Sequence, residues 1–400
     1  MYQTITLLAV FILVYSSVSR RLEMSPVSGA VVYTLFGLVF GPVCLGWLQL
    51  DVEREGLSLI AELTLSVVLF TDAANVNLKV LRKNLGLPVR LLLVGLPLTI
   101  VLGHFAGQWL LGGLGFFSLA ILATMLAPTD AALGKAVVSD ESVPKRIRES
   151  LNVESGLNDG ICVPILFVFL TLVAPAGESV NTAGLAIRLI AEEIGIGLLC
   201  GVGITFVANH LLRAASRANW ISETWGQWSI VALSTTCFAV AQLLGGSGFI
   251  AAFCGGILFG AMASGDKHAT LLESECMGDL LSLFTWVVFG ACFVGQGLAS
   301  VTGPVILYAI LSLTVVRMLP VFLCLSGTGL STGEKLFSGW FGPRGLASIV
   351  FGVIVAGAAV PGGDTLAACV VCTVTFSILA HGVSANPLIK LLASREAGKG

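Results

Sequence analysis

The sequence predicts an all-α, polytopic membrane protein of about thirteen transmembrane helices, built as two inverted six-helix repeats with two crossed, interrupted helices. Three observations carry this. Only 11% of the 400 residues are charged and 56% are hydrophobic, with a mean hydropathy of +0.96, whereas soluble domains carry roughly 25% charged residues. Apolar runs of about 20 residues, each enough to cross a hydrocarbon core of roughly 30 Å, recur along the whole chain with short connections. That leaves no room for a soluble domain, so residues 1–400 read as a single transmembrane domain. Finally, two of the runs are interrupted by proline and glycine at corresponding places.

The spans are expected at 3–18, 26–46, 57–73, 89–112, 115–138, 147–173, 183–209, 226–244, 247–263, 278–298, 302–325, 334–357 and 364–391. The first run lacks the basic leading segment of a signal peptide and is followed by Arg20 and Arg21, so it reads as a true span. An odd count puts the termini on opposite sides, and the positive-inside rule decides which. With the N-terminus outside, the cytoplasmic segments hold Arg20, Arg21, Lys79, Arg82, Lys83, Arg90, Lys145, Arg146, Arg148, Arg213, Arg217, Lys267, Lys335, Lys390, Arg395 and Lys399. The outer segments hold only Arg54, and Lys135, Arg188, Arg317 and Arg344 fall within spans. The expected setting is a cell (inner) membrane, with the C-terminus cytoplasmic.

The fifth span carries Leu126-Ala127-Pro128-Thr129-Asp130, and the twelfth carries Phe341-Gly342-Pro343-Arg344-Gly345. Proline lacks an amide proton and obstructs the preceding turn, which frees backbone groups in mid-membrane. APTDAAL and GPRGLAS occupy matching places in 3–173 and 226–391, with 183–209 as a linking helix. This is the pattern of inverted repeats whose broken helices cross at a midplane site; two unrelated proline kinks are the alternative. Crossed broken helices bring like dipole ends together. Asp130 beside N-terminal amides, or Arg344 beside C-terminal carbonyls, would neutralise them.

Residues 121–160 concentrate the chemistry, because Asp130, Glu154 and Asp159 lie where a charge in hydrocarbon costs at least a few kcal/mol. Such residues mark an ion or proton path, or pair with a buried base. In Glu154-Ser155-Gly156-Leu157-Asn158-Asp159-Gly160, residues four apart stack, so Ser155 lies over Asp159 and Glu154 over Asn158. Asp159 and Asp130, with the Ser155 hydroxyl and a freed Thr129 carbonyl, offer hard oxygen ligands suited to Na⁺ or another alkali cation. Burial disfavours a charged carboxylate and a bound cation favours it, so proton and cation compete for the same oxygens and exchange follows. For Glu154 the preferred role is a structural pair with Arg317, which sits mid-membrane and needs a partner.

Other polar groups carry less. Lys135 snorkels to the inner surface or, as the lesser alternative, pairs with Asp130. Asp72 reads as a helix-end residue, and Glu192 and Glu193 as local partners of Arg188. His104, His210, His268 and His381 fall near span ends or in loops by these boundaries, as solvated or core residues more than as pH sensors. Ten cysteines are scattered through apolar stretches, and Cys369 and Cys372 have no second pair to make a zinc or redox site. The glycine-rich 245–256 suits close helix packing rather than phosphate binding. No cofactor is expected, and a net charge of −2 suggests no nucleic-acid partner.

Together, Ala127-Pro128-Thr129-Asp130, the Glu154-to-Gly160 run, Val143-Pro144-Lys145-Arg146, mid-span Arg317 and Gly342-Pro343-Arg344-Gly345 resemble the cation/proton antiporter superfamily in its NhaP-type sodium/proton branch, in order and spacing over nearly the whole chain. The resemblance implies Asp159 as the essential ion- and proton-carrying carboxylate and Asp130 as its partner, with Thr129 and Ser155 completing the Na⁺ (or Li⁺ or K⁺) site. It implies that Glu154 pairs with Arg317, that Asn158 steadies the site, and that Asn before the aspartate gives electroneutral exchange of one cation for one proton. It further implies a homodimer in the bilayer, with a six-helix core moving past a dimerisation domain, and a role in pH homeostasis. Many relatives have another residue at position 127, so Ala127 removes no expected ligand.

Two other classes use membrane aspartates. An intramembrane aspartyl protease wants G-x-G-D, and Leu157-Asn158 precedes the aspartate here. A fixed-pore channel has no need of two interrupted spans bearing opposite charges.

Overall fold

The computed structural model describes residues 2–23, 28–48, 54–76, 86–130, 133–173, 182–262, 267–297 and 300–397. The described residues are nearly all helical, with no strand among them. Among those residues, seven helices are long and apolar enough to cross a membrane: Tyr2–Leu22, Gly86–Leu110, Lys145–Val173, Ala191–Arg217, Glu275–Val294, Gly303–Cys324 and Gly363–Ser394. Shorter apolar helices cover Gly29–Phe40, Phe116–Met125, Trp228–Leu243, Gly248–Met262 and Leu346–Gly357. The chain is a multi-pass membrane protein. Lys79, Arg82, Lys83 and Lys399 of the charge pattern lie outside the described residues, as do the side chains of Arg54, Lys135, Lys267, His268 and Arg395.

Both interruptions occur where the prolines place them. The fifth span is a helix over Phe116–Met125, an irregular stretch through Asp130, and one turn at Lys135–Val138. The twelfth is Thr332–Trp340, the irregular Phe341–Gly345, and Leu346–Gly357. The Thr332 helix opens on a capping box, in which the Ser331 hydroxyl accepts the Glu334 N–H and the Glu334 carboxylate accepts the Ser331 N–H, satisfying two orphan donors.

The structure departs from the sequence expectation in four respects. The span expected at 302–325 breaks at Thr314 into Gly303–Leu313 and Val315–Cys324. Wider π turns occur at Leu91–Gly95 and Phe289–Val294. The first of these immediately precedes Leu96-Pro97, where a wider turn relieves the proline ring's conflict with the carbonyl four residues back. The linking helix and the last helix run on to Arg217 and Ala397, because helical hydrogen bonding does not stop where the apolar run does. His104 and His381, expected near span ends, lie inside helices with 8% and 3% exposure.

The chain forms two compact units. One unit is Met1–Ser58, Gly86–Ser155 and Leu283–Gly400, and it contains both broken spans. The other is Leu59–Leu85 with Gly156–Ser282. In the latter, Phe70, Ala74, Ile230, Cys237 and Ala251 build the core. The glycine-rich stretch does serve packing there: a Cβ at Gly256 would run into the backbone carbonyl of Phe70, as one at Gly260 just beyond the stretch would into that of Ala74, so only glycine allows the helices this close.

Outside the membrane, Asp140 precedes the Lys145 helix and accepts both the Ser142 N–H at 2.8 Å and the Ser142 hydroxyl at 2.6 Å. The Ser142 hydroxyl and then its N–H hold the Asp140 carboxyl below its ordinary value. A depressed carboxyl stabilises this turn fully above the ordinary carboxylate range, and that contribution is lost as pH falls through the depressed value. Hydrogen exchange at the Ser142 amide is therefore expected to lose protection in acid, and Asp140→Asn to remove that acid dependence.

Candidate functional site

The broken spans meet through reciprocal contacts. The helix Phe116–Met125 ends with carbonyls that its missing next turn cannot satisfy. The Arg344 guanidinium, fully buried at 0% exposure, donates to the Ala127 carbonyl and, at 2.9 Å, to the Pro128 carbonyl. The Ser348 hydroxyl donates to the Met125 carbonyl at 2.8 Å. In the other direction, Asp130 serves the start of the helix Leu346–Gly357. Its carboxylate accepts the Leu346 N–H at 2.8 Å and the Leu133 N–H at 3.1 Å, while its own N–H donates to the Pro343 carbonyl at 2.8 Å. A positive group therefore faces a helix C-terminus and a negative one faces a helix N-terminus, the arrangement that offsets both dipole ends.

Beside this crossing, the Thr129 and Ser155 hydroxyls lie 3.0 Å apart, at 1% and 9% exposure. One residue earlier on the Ser155 helix, Glu154 takes a two-pronged ion pair from Arg317: Nη1 to Oε1 at 2.6 Å and Nη2 to Oε2 at 2.8 Å, with both side chains 1% exposed. The planar guanidinium matches both carboxylate oxygens, which is what such deep burial requires. Arg317 passes close beneath the second break, since a Cβ on Gly342 would stand 2.5 Å from its Nε and 3.0 Å from the Thr129 methyl.

The structure thus brings Thr129, Asp130, Glu154, Ser155, Arg317 and Arg344 together in one unit. Asp159 and Asn158 follow on the same helix and belong to the other unit. There Asp159 is 8% exposed and Asn158 is fully buried, and Gly160 lies against the Phe253 ring. Arg188 and Glu192 form an exposed local pair at 2.8 Å, as expected.

The family model for the transmembrane sodium/hydrogen exchanger matches residues 6–391. The chain belongs to the sodium/hydrogen exchanger family. Relatives include the K(+)/H(+) antiporter NhaP2 of Shewanella sp. (strain ANA-3), 23% identical over 96% of this chain and 66% of that protein. The Na(+)/H(+) antiporter of Saccharomyces cerevisiae is 27% identical over 87% of this chain and 37% of its own length. The Na(+)/H(+) antiporter ApNhaP of Aphanothece halophytica is 26% identical, over 90% and 69%. The chain thus spans somewhat less than two thirds of the NhaP2 relative. A solved structure of the sodium proton antiporter MjNhaP1 from Methanocaldococcus jannaschii at pH 8 superposes with a TM-score of 0.76 over 98% of both chains, at 19% identity. That likeness establishes the antiporter fold.

In this family member the residues that sequence reasoning missed are Ser348, Ser377 and His381, all of which serve backbone groups freed by the breaks. Ser348 lies within the GPRGLAS interruption, and that was its only sequence signal. Gly345 matters for space: a Cβ there would collide with the Asp130 carboxylate. Gly345→Ala is expected to cost about 1–3 kcal/mol, the usual range for overpacking, read as a lowered melting temperature in detergent together with reduced exchange.

Proposed function

We propose that this family member exchanges a monovalent cation for H⁺ across a cell membrane by alternating access, with Asp159 carrying cation and proton in turn. The observation that carries the proposal is a carboxylate with 8% exposure in the middle of a membrane-crossing helix. Hydrocarbon selects against such a group unless it conducts or binds. We propose Asp130, Thr129 and Ser155 as further oxygen ligands, Asn158 as a support for Asp159, and Glu154, Arg317 and Arg344 as structural. Oxygen donors favour a hard cation; Na⁺ is our assignment, with Li⁺ and K⁺ as its competitors. The names of relatives divide between Na⁺ and K⁺, so ion identity rests on measurement.

We further propose a homodimer that contributes to pH homeostasis, with the N-terminus outside and two inverted repeats flanking the linking helix. The first helix supports the dimer, since its most apolar stretch has no buried residue within the protomer and leaves Leu13 71% exposed. The test of function is dequenching of a pH dye in everted vesicles on adding Na⁺, Li⁺ or K⁺. A response to Na⁺ above the other two supports the assignment, and no response to any sinks the exchange reading. With Asn158 before Asp159 the exchange should be one for one, so clamping the membrane potential should leave its equilibrium unchanged.

A further inference from the structure

The second break leaves backbone groups that an apolar interior must satisfy. Asp130 deals with the Leu346 N–H and the Pro343 carbonyl. The Trp340 carbonyl, at the end of one half-helix, accepts the Gly342 N–H at 2.8 Å; its second lone pair and the Arg344 N–H, just before the other half-helix, are served from a single turn of the last helix, Gly363–Ala397. The Ser377 hydroxyl accepts the Arg344 N–H at 2.6 Å, and the His381 ring places Nε2 2.8 Å from the Trp340 carbonyl oxygen. Ser377 Oγ and His381 Nδ1 are 3.2 Å apart, and the two residues are 0% and 3% exposed. Their four-residue spacing puts them on one helix face, so one turn reaches both sides of the break.

The distances fix the role of Nε2, and burial decides that of Nδ1. A carbonyl oxygen only accepts, so Nε2 carries the hydrogen. Ser377 Oγ already accepts from Arg344 and has its own hydrogen to give, which Nδ1 takes. The chain from Arg344 N–H through Ser377 and His381 to the Trp340 carbonyl is then complete with a neutral ring. Nδ1 also lies 2.9 Å from the Ser377 carbonyl, to which an imidazolium would donate. That form would add a third cation to buried Arg317 and Arg344 around the same break, against the cost of desolvating charge.

We propose that His381, as the neutral Nε2–H tautomer and acting through Ser377, is a positioning residue that clamps both ends of the second break. The clamp fixes Arg344 on the Ala127 and Pro128 carbonyls and the Pro343 carbonyl on the Asp130 N–H. Its consequence for ion affinity rests on the exchange function proposed above; the clamp itself does not.

Two measurements on the full chain in lipid vesicles test this. Nitrogen NMR of histidine-labelled protein, with the His381 signal assigned by its loss in His381→Gln, should show the neutral Nε2–H tautomer at about pH 7; an imidazolium or Nδ1–H signal there overturns the proposal. In dye-dequenching assays, His381→Leu should raise the apparent cation KM about tenfold, the scale of one lost buried hydrogen bond, with the maximal rate less affected. His381→Gln, which keeps an N–H at the reach of Nε2, should stay within about twofold of the native protein. Equal KM values for native, Leu and Gln forms, or equal losses in both variants, overturn it. Should His381→Leu fail to fold, Ser377→Ala removes the other half of the clamp and carries the same expected shift. If native vesicles move no cation, the exchange function fails while the NMR result still decides the clamp.

Discussion

Asp159→Asn is expected to abolish cation-driven proton movement, by at least about 100-fold, the lower range of what a positioned proton carrier contributes. The amide is nearly isosteric and neutral, so it can neither release a proton nor compensate a cation. The folded protein should survive, since a neutral side chain is easier to bury than a carboxylate at a position only 8% exposed. The measurement is dye dequenching in everted vesicles, paired with the elution profile of the purified variant. Native-level exchange by Asp159→Asn would remove Asp159 from the mechanism, whatever the other acids do.

Arg317→Met should instead act on stability. It leaves Glu154, 1% exposed, without its two-pronged partner, and breaking a buried pair from one side costs about 3–5 kcal/mol. The double variant Glu154→Gln with Arg317→Met should recover most of that loss, because a buried pair replaced by neutral groups is often close to neutral overall. Melting temperatures of the four proteins in detergent form the cycle that isolates the pair. An unshifted melt in the single variant would show that the pair does not hold the fold.

The fold was legible because its determinants are local. Lipid demands long apolar runs, and Pro128 and Pro343, each close to a charged residue within such a run, pointed to the two breaks, whereas Pro164 and Pro387 are carried inside continuous helices. The Glu154–Arg317 pair was legible by elimination, as a buried acid and a buried base that each needed the other. Arg344 and Asp130 were legible as opposite charges at opposite breaks, and the structure gives each the helix end of opposite sign. Ser348, Ser377 and His381 were not, because their partners lie 223, 33 and 41 residues away in sequence. Serine and histidine in a membrane helix have too many ordinary uses to point anywhere. Nor was the break at Thr314, which lies in an apolar run with no glycine or proline beside it.

The crossing also sets an order of assembly. Pro128 and the guanidinium that satisfies it are 216 residues apart. At synthesis rates of about 5–20 residues per second, that separation is on the order of 10–40 s. Through that interval the first break is in place while the groups that complete it have yet to be made, so water or transient neighbours must hold its carbonyls. The arrival of residues 343–348 is therefore a late, long-range closure. A nascent chain that stalls before them carries a half-finished helix end, open to capture by whatever donor comes first.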